Sequence, residues 1–60
     1  MSTITFVKKT PAGSPGNFNW EYKCKCANGV NKPNVIVSSA NENEAKQLAQ
    51  QECDETCGET

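Results

Sequence analysis

The stretch Phe18-Asn19-Trp20-Glu21-Tyr22-Lys23-Cys24-Lys25-Cys26 decides the fold. Phe18, Trp20, Tyr22, Cys24 and Cys26 fall on one side of an extended chain, and Asn19, Glu21, Lys23 and Lys25 fall on the other. Such strict period-two alternation predicts a half-buried strand. Its two cysteines continue the aromatic face and therefore point into the core. A second cysteine pair, Cys53 and Cys57, stands four apart in a segment that reads as a helix. A spacing of two places side chains on one face of a strand, and a spacing of four stacks them on one helical stripe. Two pairs spaced in this way can face each other and be joined twice.

Working outward, a helix is predicted from about Glu42 to about Thr56. Asn41 is a favourable N-cap, and Glu44 stands where the acidic half of a capping box belongs. Ser39 with Glu42 offers a competing start. Ala45, Leu48, Ala49, Cys53 and Cys57 form one stripe, and Gly58 is the natural C-cap. Asp54 and Glu55 oppose the helix dipole at a small local cost. Thr3 to Lys8 reads as a short strand, with Ile4 and Phe6 on one side. Thr10 to Asn17 reads as a loop, because Pro11, Gly13, Ser14, Pro15 and Gly16 stop a regular ladder. Ala27 to Asn34 is a turn region. Asn28-Gly29 favours positive φ at both positions, and Pro33 limits how far pairing runs. Val35 to Ser38 is a third strand, whose unbroken Val-Ile-Val suits a central or well-covered place.

The predicted fold class is α+β: a small three-stranded antiparallel sheet in β-β-β-α order, with one C-terminal helix packed on one face. Residues 1–60 form a single small domain. Hairpin connections alternate the strand directions, so the helix runs parallel to the second strand. Parallel running pairs the first strand cysteine with the first helix cysteine, giving Cys24–Cys53 and Cys26–Cys57. Of the three possible connectivities, the one joining each pair to itself is the worst, being strained within one strand and poor within a helix. Each predicted bridge closes a loop of about thirty residues, worth on the order of 3–4 kcal/mol in the chain-entropy model and not additive with the other.

C-x-C on a strand facing C-x-x-x-C on a helix resembles the cysteine-stabilised αβ motif of defensins and scorpion toxins. The likeness covers four positions. Those proteins place the helix before the C-x-C strand, and antimicrobial defensins are strongly basic, so the likeness implies shared geometry and carries no function across. Asn41 to Cys53 is similar, through Glu44-Ala45-Lys46 and Leu48-Ala49, to the last helix of double-stranded-RNA-binding domains. That family meets phosphates with lysines at the helix start, where this chain has Glu42 and Asn43, and its first helix has no counterpart here.

Size explains why a staple is needed. A 60-residue chain with 35% hydrophobic residues has few large apolar side chains. One core of this kind supplies about 3–5 kcal/mol, so disulfides or a metal are expected. Disulfides are the preferred reading. The alternative is an intracellular zinc-binding structural module with Cys24, Cys26, Cys53 and Cys57 as ligands, set against spacings that differ from the usual C-x-x-C knuckles. Free thiols come third, and a redox role lacks the exposed C-x-x-C it needs.

The net charge is −1, yet it is unevenly spread. Residues 1–40 hold five lysines and one glutamate, and residues 41–60 hold one lysine and six acids. An acidic helix covering a basic sheet is the plainest account. No arginine is present, which removes bidentate anion clamps. Enzyme chemistry finds no foothold. Histidine is absent, Ser38 and Ser39 lack a visible base, the helix acids fall mostly on a solvated face, and the Gly/Pro segment is no phosphate loop. No apolar run approaches a membrane span, and the start shows no signal-peptide pattern. Localisation is left open: secreted or periplasmic if the cysteines are oxidised, cytoplasmic if they are free or bind zinc.

The expected function is that of a non-enzymatic, disulfide-stabilised miniprotein acting as a binding module, inhibitor- or toxin-like in one version. Two elements are candidates for recognition. One is the long Lys8 to Phe18 loop, with Lys9, Pro11, Ser14, Pro15 and Asn17, since long loops on rigid scaffolds carry binding. The other is the outer sheet face with Lys23 and Lys25. The expected partner is another protein, with no cofactor, nucleic acid or membrane involved, and the chain is expected to be a monomer.

Overall fold

The computed structural model describes residues 1–59. Strands β1 (Thr3–Pro11), β2 (Phe18–Lys25) and β3 (Asn31–Ser39) precede helix α1 (Glu42–Cys57). The strands form one antiparallel sheet in the order β1-β2-β3, so β2 is central and both of its neighbours are edges.

The alternation along β2 reads out directly as burial. Trp20, Tyr22, Cys24 and Cys26 are buried, Phe18 is half-buried, and Lys23 and Lys25 are exposed. The helix covers the buried face through Ala45, Ala49 and Cys53, all fully buried. Small side chains on that stripe let the helix backbone approach Trp20, Tyr22 and Val37, with which both alanines share the core cluster. The indole of Trp20 keeps its N–H satisfied by donating to the Ser39 carbonyl at 2.9 Å. Leu48 belongs to the predicted stripe by spacing, but it remains 38% exposed beside β3.

Both helix ends follow the sequence signals. Asn41 Oδ1 accepts the Glu44 N–H at 2.8 Å. At the far end Gly58 adopts the left-handed conformation (φ 73°). The Gly58 and Glu59 N–H groups donate to the carbonyls of Glu55 and Asp54, which is the Schellman arrangement.

Four expectations need correction. First, β1 runs three residues past Lys8, because Lys9, Thr10 and Pro11 pair with Trp20, Asn19 and Phe18. Proline is tolerated there because β1 is an edge and that N–H is not required by the ladder. Second, Val7 is an extra residue between the pairs Phe6–Tyr22 and Lys8–Glu21. This bulge shifts the side-chain phase, so Lys9 joins Ile4 and Phe6 on the helix side. Third, β3 is an edge strand rather than a central one, and Ile36 is 62% exposed. It begins at Asn31, and Pro33-Asn34 opposes the single residue Lys23 in a second bulge, which is how a proline fits within it. Fourth, only Gly29 of Asn28-Gly29 has positive φ. Asn28 contributes differently, its Oδ1 accepting the Val30 N–H at 3.1 Å.

Candidate functional site

Because β2 and α1 run in the same direction, the molecule has two unlike poles along its 38 Å axis. At one pole two bridges join strand to helix, Cys24 to Cys53 and Cys26 to Cys57, each with a Cα–Cα separation of 5.6 Å. This is the predicted pairing, and no free cysteine is left. Cys24, Cys26 and Cys53 are buried and Cys57 is half-buried. The Sγ atoms of Cys24, Cys53 and Cys57 all lie within 4.8 Å of one another. The Glu59 carboxylate lies within the same distance of the Cys26 and Cys57 sulfurs.

A polar knot closes this pole, and sequence reasoning missed it. Ser2 is 6% exposed. Its hydroxyl and its N–H both donate to Asp54 Oδ1. Gln50 Nε2 donates to the Ser2 carbonyl (3.0 Å), to Ser2 Oγ (2.9 Å) and to Asp54 Oδ1 (3.1 Å). The Ser2 hydroxyl holds the Asp54 carboxyl below the usual aspartate range, aided by the Ser2 N–H, Gln50 and the N-terminal charge. Asp54 therefore has a role that outweighs its poor place in the helix dipole. Glu59 adds a second tie: it accepts the Ala27 N–H at 3.0 Å and lies 3.5 Å from the N-terminal ammonium. The nearest thing to a serine–carboxylate dyad in the fold is thus a structural clamp, with its hydroxyl proton committed and its serine covered.

At the opposite pole the β1–β2 hairpin ends in the loop 12–17, where Gly13, Ser14, Pro15, Gly16 and Asn17 are exposed. Its six residues are fewer than the sequence suggests, because Lys9 to Pro11 belong to β1. The loop is built rather than slack. Ala12 N–H donates to Asn17 O, and Asn17 N–H donates to Ser14 O. Pro15 stands at the second position of that turn and Gly16 at the third with φ 82°, the arrangement of a type II turn. Lys9 sits at the base of this pole with its ammonium 4.4 Å from the Phe18 ring centroid and 5.1 Å from that of Trp20. Such cation–π contacts hold a flexible lysine in place.

The outer sheet face is polar. Lys8 pairs with Glu21 at 3.9 Å, Asn34 donates to Glu21 at 2.7 Å, and Ser38 donates to Asn19 at 2.7 Å. Lys23 and Lys25 are exposed there. Neither has an acid within 4.0 Å among the described residues. The expected attraction between acidic helix and basic sheet is accordingly not made by close pairs. Lys8, Lys23 and Lys25 lie on the far side of the sheet from the helix, while Lys9 and Lys32 are on the helix side.

A groove of about 920 Å³ lies between β1 and α1, floored by Ile4, Phe6 and Tyr22 and walled by Gln47 and Gln50. The Tyr22 side chain is 1% exposed and its hydroxyl has no hydrogen-bond partner among the described residues. Burial, with Glu42 adding to it, pushes this phenol above its ordinary value. Trp20 and Tyr22 are core residues beneath the helix, as their alternation implies.

Of the predicted recognition residues, the structure brings Lys9, Pro11, Ser14, Pro15 and Asn17 together at the hairpin pole. Lys23 and Lys25 lie apart from them on the outer face. In comparisons with known proteins, no family model matches the chain, and neither a curated protein nor a solved structure matches it.

Proposed function

We propose that the chain is a non-enzymatic binding module that presents its β1–β2 hairpin pole to another protein. The observation that supports this reading is the division of labour along the long axis. Both covalent bridges and the Ser2–Gln50–Asp54 knot lie at one pole. The other pole carries an exposed, internally hydrogen-bonded Pro-Gly turn with Lys9 fixed below it. A preordered loop loses little entropy on binding, so more of its contact energy becomes affinity. The open face with Lys23 and Lys25, apart from the hairpin pole, is a second surface suited to partners that carry acidic groups. An inhibitor- or toxin-like role is one form of this function.

The test is site-specific photo-crosslinking in extract from a native source. A photoreactive residue is placed at Ser14, at Asn17, at Lys23 or, as a control on the helix, at Glu52. The expected result is one discrete adduct from Ser14 and Asn17, competed away by excess unlabelled native chain but not by a chain whose residues 12–17 are replaced by a short glycine turn. Equal labelling from Glu52, or equal competition by the loop-replaced chain, overturns the assignment. The bridges at the other pole keep the replaced variant folded, which circular dichroism verifies.

A further inference from the structure

The two bridges stand side by side, with three of their four sulfurs in one group and Cys57 common to both sides. The Sγ atoms of Cys24, Cys53 and Cys57 are mutually within 4.8 Å, and Cys26 is bonded to Cys57. We propose that, once reduced, the chain uses Cys24, Cys26, Cys53 and Cys57 as a tetrathiolate site for a zinc-class divalent cation, which replaces the two bridges as the staple. This goes beyond the binding role and stands independently of it.

The geometry comes first. With zinc–sulfur bonds of about 2.3 Å, the sulfurs of a tetrahedron stand about 3.8 Å apart. Bonded sulfurs must therefore separate by about 1.8 Å, and the Cys24–Cys57 and Cys53–Cys57 contacts, each within 4.8 Å, must close by at most about 1 Å. Cys26, whose sulfur is grouped with Cys57 but not with Cys24 or Cys53, has the furthest to turn, and its side-chain rotation sets whether the fourth bond forms. The ligands come in pairs, each on one rigid element, C-x-C on a strand and C-x-x-x-C on a helix, so the backbone is already arranged. Cys24, Cys26 and Cys53 are buried, which keeps water from competing, and half-buried Cys57 provides the way in.

The surrounding charges decide which donor completes the set. A tetrathiolate zinc centre carries two negative charges. Lys32 is the sheet partner of Cys24 and stands beside it on the helix-facing side, where its charge opposes that excess. Glu59 is the competing oxygen donor near Cys26 and Cys57. It is already engaged by Ala27 and the N-terminus, so Cys26 is the fourth ligand.

The chemistry balances with a trialkylphosphine as reductant. For each bridge, one phosphine and one water yield two thiols and one phosphine oxide, a two-electron transfer. The cation then takes up four thiolates and releases four protons.

The experiment starts from the phosphine-reduced chain and adds cobalt(II) alone, followed by zinc(II). The expected result is saturation at one cobalt per chain with the intense visible absorption of a tetrahedral site. Zinc should bleach that absorption, and the far-UV dichroism should return to that of the oxidised protein. Cys26→Ala should weaken cobalt binding at least tenfold, and Glu59→Gln should leave it within twofold. Because the readout is structure gained on adding metal, an unfolded reduced chain is an acceptable starting point. Weak six-coordinate absorption, a stoichiometry other than one, or binding without recovery of the fold overturns the proposal. Binding that is indifferent to Cys26→Ala but lost in Glu59→Gln does the same.

Discussion

Removing one bridge should cost much less than the length of its loop suggests. In the chain-entropy model a crosslink lowers denatured-state entropy by about 2.1 + 1.5R ln n cal/mol/K for a loop of n residues. With sequence separations of 29 and 31, either bridge acting alone contributes about 3.6 kcal/mol. The bridges are almost superimposed, however. With one in place, the other closes only the short ring made by the β2 segment between Cys24 and Cys26 and the α1 segment between Cys53 and Cys57. That ring has about six residues and is worth about 2.2 kcal/mol. Cys26→Ala with Cys57→Ala should therefore cost about 2 kcal/mol, a shift of about 2 M in the urea midpoint for a slope near 1 kcal/mol/M. Cys24→Ala with Cys53→Ala should cost about 0.4 kcal/mol more, because both of its sulfurs are buried where Cys57 is half-buried, and a sulfur is about the size of a methylene group. Deleting all four should unfold the chain, since about 6 kcal/mol exceeds what a core this small supplies. Urea unfolding followed by circular dichroism measures all three. A loss of 3.7 kcal/mol or more for the Cys26/Cys57 variant, as if the bridges were independent, refutes the nested-ring reasoning.

Acid should loosen the stapled pole. The Asp54 carboxyl titrates below its unfolded value of about 3.9, so its stabilising contribution is complete above that pH and is lost as pH falls through the lower, folded value. Unfolding midpoints measured from pH 5 downward should fall for the native chain and fall less for Asp54→Asn. Tyr22 works at the other extreme. Its phenol is raised, so its contribution holds below about pH 10 and is lost as pH rises through the folded value, which absorbance of the tyrosinate reports alongside unfolding. Trp20→Phe removes the buried bond to the Ser39 carbonyl and should cost about 1–3 kcal/mol in urea unfolding, with a smaller loss showing that water replaces the indole N–H.

How legible this fold was depended on the range of the interactions involved. The nine residues from Phe18 to Cys26 predict their own burial, because the strand period is a local property. Asn41 and Gly58 mark the helix ends for the same reason. The disulfide pairing follows once the directions of β2 and α1 are known. The bulge at Val7 was not legible, since a bulge exists only relative to the partner strand. With it went the place of Lys9, which one extra residue moves from a loop to the helix-facing side. Ser2 was equally silent: its partners Gln50 and Asp54 are 48 and 52 residues away. From the helix alone Asp54 reads as an unfavourable charge, because its partner is invisible there. At the candidate site, the Pro-Gly punctuation marked the turn, but not that β1 would run up to it.

The knot around Ser2 and Glu59 also sets how this unit can be joined to anything else. The N-terminal ammonium and the Glu59 carboxylate lie 3.5 Å apart, beside the bridges. Segments attached before residue 1 or after residue 59 would leave from the same end of the body, as two leads leave one socket. The hairpin would then point away from both. A tether at either side would leave the loop 12–17 unobstructed, and the ends could be spliced to each other with the chain reopened within that loop. The fold is, in this sense, almost a closed circuit, with its hairpin loop placed opposite the join.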